Sequence, residues 1–150
     1  MVSSDVLNKA RRYCVYQERS QQELREKLYS LGLFKKDVEE SIAMMVTEGY
    51  LNEERFAIAY AGGKFRIKHW GKNKIKQALK LKKVSDYCIR QALKSIADDD
   101  YLKVSNEQRE VYKRKTKENN AIKKNYKVAQ QLIARGFEAD EVWKCILKEK

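Results

Sequence analysis

Between Lys64 and Lys83 the chain reads KFRIKHWGKNKIKQALKLKK. The cations are Lys64, Arg66, Lys68, Lys72, Lys74, Lys76, Lys80, Lys82 and Lys83, and no Asp or Glu interrupts them. The chemistry such a stretch offers is the binding of a polyanion or an acidic surface, because a helix face so charged repels itself when nothing neutralises it. Ile75 and Leu79, four apart, give a helix from about Gly71 one buried side, and Lys72, Lys76 and Lys80 line another at the same spacing. Phe65 and Trp70 stand among the cations, where an aromatic ring can stack on an exposed base or anchor an interface. Phe65 matches Cys14 in the repeat described below and is assigned to the core; Trp70 is open between packing and stacking. The binding face is therefore placed on Lys64, Arg66, Lys68, Trp70, Lys72, Lys74, Lys76, Lys80 and Lys83. A second cationic run would extend it through Lys115, Lys123, Lys124 and Lys127.

Other chemistry finds no convergent groups. The one histidine, His69, has no orienting carboxylate in its local sequence and reads as a surface or interface residue. Gly62-Gly63 does not form a phosphate loop, and metal-ligand spacings are missing. Glu39-Glu40, Glu53-Glu54 and Asp98-Asp99-Asp100 read as solvated helix faces and a linker. Cys14, Cys88 and Cys145 are far apart, lie in apolar helical patterns and are expected to be buried free thiols. The expectation is a protein that is not an enzyme; that it needs no cofactor is implied only by the family resemblance given below. A plain solubilising surface is the competing account of the lysines, and the total lack of intermixed acids argues against it.

The elements that must position this face are helices. The 150 residues include no proline and six glycines, which leaves little punctuation for an all-β fold. Ser3 or Ser4 can cap a first helix with Val6, Leu7, Ala10, Tyr13 and Cys14 as its buried stripe. Ser20 and Glu23 form a capping box before Leu24, Leu28 and Leu31, and Gly32 ends that helix with a left-handed turn. A third helix over about Asp37–Glu48 buries Val38, Ile42, Met45 and Val46 before Gly49. Asn52 then caps a helix carrying Phe56, Ile58, Ala59, Ala61 and Phe65. The basic helix follows, and Ser85 caps the next, with Ile89, Ala92, Leu93 and Ile96. After an acidic break at Asp98–Asp100 come a polar segment anchored by Val104, Val111 and Tyr112, a helix around Tyr126–Leu132 stopped at Gly136, and a last helix with Val142, Trp143, Ile146 and Leu147.

These positions repeat. Leu24, Leu28, Val38 and Ile42 fall on Ile75, Leu79, Ile89 and Leu93 after a shift of 51 residues, and on Val128, Leu132, Val142 and Ile146 after a further 53. Gly32 maps to Gly136 through Lys83. The pattern predicts an all-α chain of three tandem three-helix repeats, at residues 1–50, 51–98 and 99–150. Charge follows the same division: eight Lys/Arg against eight Asp/Glu in 1–50, twelve against three in 51–97, and thirteen against ten in 98–150, within a net charge of +12. The lack of a signal-peptide core and of any run of about 18 apolar residues predicts a cytoplasmic protein without a membrane partner. A row of repeats needs no second copy to bury its core, so a monomer is expected.

The segment QERSQQELREKLYSLG, then EGYLNEERFAIAYAGGKFR and a Gly-initiated basic helix, resembles the RecX family of regulatory proteins, and ARGFEADEVWKCI resembles the end of that family's third repeat. The most specific parts are Arg19-Ser20 with Glu23-Leu24, and Gly49-Tyr50-Leu51 with Arg55-Phe56-Ala57. The resemblance implies an elongated, curved helical array that binds RecA and its filament on single-stranded DNA. It further implies modulation, most often inhibition, of RecA ATPase, recombinase and coprotease activities in DNA repair and the SOS response. The family's motif residues are structural, so the site assignment rests on charge. A sequence-nonspecific DNA-binding module acting without RecA is the alternative. Asn52-Glu53 stands where the family more often has two acidic residues. Gly62-Gly63 interrupts an expected helix at about 1 kcal/mol per glycine against alanine, which questions the straightness of the fourth helix.

Overall fold

The computed structural model describes residues 2–148, which form nine α-helices and no strand. In chain order they are α1 Ser4–Tyr16, α2 Gln21–Ser30, α3 Lys35–Thr47, α4 Glu53–Lys68, α5 Lys72–Leu81, α6 Asp86–Lys94, α7 Asp98–Lys115, α8 Ala121–Ala134 and α9 Ala139–Lys148. The chain is thus all-α, and its helical repeat is written in the backbone. After α2, α5 and α8 the residues Gly32, Lys83 and Gly136 all take positive φ, at 91°, 62° and 101°. The next N–H then reaches back five residues each time: Leu33 to Leu28 O, Val84 to Leu79 O, Phe137 to Leu132 O. This is the left-handed C-terminal turn that satisfies otherwise unpaired helix carbonyls, copied three times.

The residues cluster into two compact units, 1–60 with 79–92 and 61–78 with 93–150, and α4 and α5 contribute to both. In the first unit α1 packs on α2 and α3, and α2 on α3. Ser3 caps α1 by accepting from the Val6 N–H, and Ser20 with Glu23 forms the reciprocal capping box of α2. These fixed starts aim Ala10, Cys14, Leu24, Leu28, Val38, Ile42, Met45 and Leu51 into one core. Gly49, at φ 81°, ends α3, and Asn52 Oδ1 accepts from Arg55 N–H to open α4. In the second unit α8 packs on α7 and α9 around Val128, Ala129, Leu132, Phe137, Val142 and Ile146.

Several expectations are corrected. Asp98, Asp99 and Asp100 are not a break but the first turn of α7, where carboxylates face the positive end of the helix dipole. Alternation at three and four over-assigned the core: Val46, Ile58, Ala59 and Leu147 are exposed, while Leu31 and Leu93 are half-buried. Of the cysteines only Cys14 is buried; Cys88 and Cys145 are half-buried thiols. Gly62 and Gly63 lie inside an unbroken α4, which their missing side chains do not interrupt because Phe56, Ala57, Ala61 and Phe65 are buried on either side of them.

Candidate functional site

The centre of the basic stretch is the corner between α4 and α5, within the second unit. His69 ends α4 in the left-handed region at φ 57°, its N–H donating to Phe65 O at 3.1 Å, while Trp70 N–H donates to Lys64 O at 3.2 Å. A helix start leaves its first N–H groups without intrahelical acceptors. At α5 these are met from far along the chain: Gly71 N–H donates to Arg135 O, Lys72 N–H to Tyr101 Oη and Asn73 N–H to Gly136 O, at 2.9, 3.0 and 2.9 Å. Arg135 Nη2 in turn donates to Lys68 O at 2.7 Å. A Cβ on Gly71 would stand 2.3 Å from the Gly136 carbonyl carbon, so only glycine lets the two backbones approach.

Tyr101 closes the corner. Its ring lies between Phe65 and Phe137, at 5.8 and 5.7 Å between centroids, and its hydroxyl donates to Glu138 while accepting from Lys72 N–H. Burial, then the bond to Glu138, pushes the phenol well above its usual range, so it stays a neutral donor.

On this frame the cations sort into three kinds. Lys64 and Lys74 place their ammonium groups 5.0 and 4.7 Å from the centre of the half-buried Trp70 ring. Lys72 does not join a free face with Lys76 and Lys80 as expected: its ammonium lies 4.7 Å from the Tyr101 ring centre and is half-buried. Lys68, Lys76, Lys80 and Lys83 are exposed, and Arg66, also exposed, folds its guanidinium back over Gly62. Lys80 and Lys83 fall in the first unit, as does Lys82, whose Nζ is 3.5 Å from Glu23 Oε2. Of the extension, Lys127 is paired with Glu118 at 2.9 Å, a contact that holds the Glu118 carboxyl below its usual value; Lys115 and Lys123 are exposed and Lys124 half-buried. His69, read as a surface or interface residue, is half-buried, and its Nδ1 has no hydrogen-bond partner among the described residues.

The sequence of residues 52–93, which contains the whole basic stretch, matches the model of the RecX second three-helix domain. The regulatory protein RecX of Bacillus licheniformis is 27% identical over 134 residues, covering 89% of this chain and 51% of that protein. RecX of Clostridium perfringens (strain SM101) is 29% identical over 124 residues, covering 81% and 58%. The crystal structure of RecX from Lactobacillus salivarius superposes with a TM-score of 0.85 at 25% identity, over 97% of this chain and 94% of that one. In sequence and in fold the chain is similar to proteins of the RecX family. It spans about half the length of the curated relatives it matches, and those relatives carry the name of a regulatory protein rather than of an enzyme.

The motif Arg19-Ser20…Glu23-Leu24 is structural here in a definite sense: Ser20 and Glu23 cap α2, and Arg19 Nε–H donates to Tyr13 O. Arg55 of the second motif bonds Glu18 and the Gly49 carbonyl, tying the start of α4 to the end of α3. What the basic stretch did not disclose is its anchor. Tyr101, Arg135, Gly136 and Glu138 lie about thirty to seventy positions further on, and no local spacing links them to Gly71. The one available sign was a glycine directly before a lysine-rich helix.

Proposed function

We propose that this chain binds RecA and the RecA filament on single-stranded DNA and lowers RecA's ATPase, recombinase and coprotease activities in DNA repair and the SOS response. It does so from the cytoplasm as a monomer of three repeats, 1–50, 51–98 and 99–150, without catalysis and without a cofactor. Similarity to a family named for regulation supports the reading. The single observation that carries it to a site is that most of the surplus of positive charge falls inside the residues matched by the family's second domain, 52–93. Exposed Lys68, Lys76, Lys80 and Lys83, with Arg66, would meet acidic protein surface or phosphate. Many weak contacts act together when one chain reaches several of them at once.

The test is RecA's DNA-dependent ATPase on single-stranded DNA, with this protein added below stoichiometry. Lys68, Lys76 and Lys80, all exposed, are the residues to reverse to Glu; Lys72 is unsuitable because its charge rests on Tyr101. Suppression by the wild type that the triple variant loses, with helical content unchanged, is the expected result. Equal suppression by the variant would refute the site.

A DNA-binding module independent of RecA is the second reading. The gathering of Lys64 and Lys74 beside Trp70 favours it, since an aromatic ring with cations next to it suits a base and its phosphate. It predicts binding to DNA without RecA that weakens steeply as salt rises.

A further inference from the structure

The first unit carries a second cationic hollow, between the end of α1 and α2, in the third of the sequence whose charges balance. Lys9, Arg12, Tyr13, Tyr16, Arg19 and Lys27 line it, around a volume of about 290 Å³. In its lining, the bond from Arg19 Nε–H to Tyr13 O, 2.9 Å long, fixes the guanidinium with its carbon 3.7 Å from the Tyr13 ring centre. The same carbon is 5.8 Å from the Tyr16 ring centre, and Lys27 Nζ is 5.6 Å from that of Tyr13.

Two features separate this hollow from an ordinary solvated surface. First, Arg11, Arg25 and Arg55 of this unit hold carboxylates, on Glu48, Glu39 and Glu18. Among the described residues Lys9, Arg12, Arg19 and Lys27 have no carboxylate at ion-pair distance. Glu23 and Glu26 on α2 lie near enough to act on Tyr13, but Glu23 is engaged by Ser20 N–H and Lys82, and Glu26 accepts from Gln22. Four gathered cations without a counter-charge favour an anion between them. Second, Tyr16 is 83% exposed at the end of α1, a large ring with no packing role, set beside the cations. A ring so placed offers its face to another flat group, and a nucleotide joins a flat group to an anion.

We propose that this hollow binds one nucleotide of single-stranded nucleic acid, its phosphodiester held by Lys9, Arg12 and Arg19 and its base stacked on Tyr16. The volume lies at the small end for ligand clefts, which fits a single nucleotide unit. A duplex keeps its base faces inside its own stack and cannot reach Tyr16 with one. The proposal is independent of any action on RecA.

The test measures the full chain, without RecA, binding fluorescein-labelled oligothymidylate by fluorescence anisotropy. Tyr16 and Arg12 are both exposed, so the variants leave the core untouched. Tyr16→Leu is expected to weaken binding about fivefold or more, whereas Tyr16→Phe retains it. Arg12→Glu is expected to weaken binding and to reduce the salt slope by roughly one contact or more. The same ratios should appear in the Lys68, Lys76, Lys80→Glu background, which separates this hollow from the basic stretch. In the wild type, photo-crosslinking to an iododeoxyuridine oligomer should label Tyr16. Unchanged affinity for Tyr16→Leu, an equal loss with duplex of the same length, full competition by inorganic pyrophosphate, or a crosslink elsewhere would each overturn the proposal.

Discussion

The turns after α2 and after α8 have one backbone and opposite surroundings. Gly32 and Gly136 occupy equivalent places in the repeat, with φ of 91° and 101° and the same hydrogen bond back five residues from the following N–H. Around Gly32 an added Cβ would meet nothing within 4 Å; around Gly136 it would lie 2.4 Å from Lys74 Cβ and 2.5 Å from Lys74 N. The first glycine is required only by its own torsion angle. The second is required also by its neighbour, because its carbonyl is the acceptor that opens the basic helix. A repeat can therefore keep its local geometry while one copy turns that geometry into a joint.

The largest effects should come from closing that joint. Gly136→Ala combines strain at positive φ with displacement of backbone, each of order 1–3 kcal/mol, so a loss of about 3 kcal/mol or more is expected in urea unfolding. Gly71→Ala separates the two causes: its φ lies outside the left-handed region, yet its Cβ would stand 2.3 Å from the Gly136 carbonyl carbon. It should cost nearly as much, and hydrogen exchange should show α5's first amides opening. A loss under about 0.5 kcal/mol, the scale of ordinary surface substitutions, would mean the joint is not formed in solution.

Tyr101→Phe tests the same joint without crowding it. Lys72 N–H loses its acceptor and Glu138 its donor, at about 1–3 kcal/mol for a buried group left unpaired. The pH dependence carries a sign. Tyr101's folded pKa is raised, so the associated stability is fully present below the unfolded value of about 10 and erodes as pH rises above it, where the unfolded chain ionises. The wild type should therefore lose stability through that window more steeply than Tyr101→Phe. Parallel alkaline profiles for the two would contradict a phenol that is neutral at this corner.

These cases also mark what the sequence makes legible. Capping residues announce themselves within three positions, so Ser3, Ser20, Asn52 and Ser85 and the repeat they begin can be read directly. The buried positions shared by the copies follow from spacing too, since Leu24, Ile75 and Val128 are all within the core. Lysines reveal charge but not its use. Lys72 and Lys74 were indistinguishable from Lys76 by type and spacing, yet the distant Tyr101 ring claims the first and the nearby Trp70 ring the second. Tyr101 reaches Lys72 across 29 positions and Arg135 reaches Lys68 across 67, separations that no periodicity encodes.

Gly32→Ala is the control on the other side of the comparison. With open space around the Cβ, only the torsion is penalised, and the loss should be about 1 kcal/mol, smaller than at Gly136. Equal losses at Gly32 and Gly136 would erase the distinction between turn and joint.

The smallest effect is expected at the middle copy, where Lys83 holds φ 62° with a full side chain. A left-handed lysine is strained by about 1–2 kcal/mol, while glycine there surrenders more freedom on folding, by roughly 0.5–1 kcal/mol relative to alanine. The difference leaves Lys83→Gly more stable by about 0.5–1 kcal/mol, visible as a rise in urea midpoint with unchanged slope. Lys83 is exposed, so no packing is lost with its side chain. If the gain appears while RecA suppression weakens, the lysine is kept at this strained turn for its charge. If stability falls instead, the side chain supports its turn, and the three turns are not interchangeable even in their torsional demand.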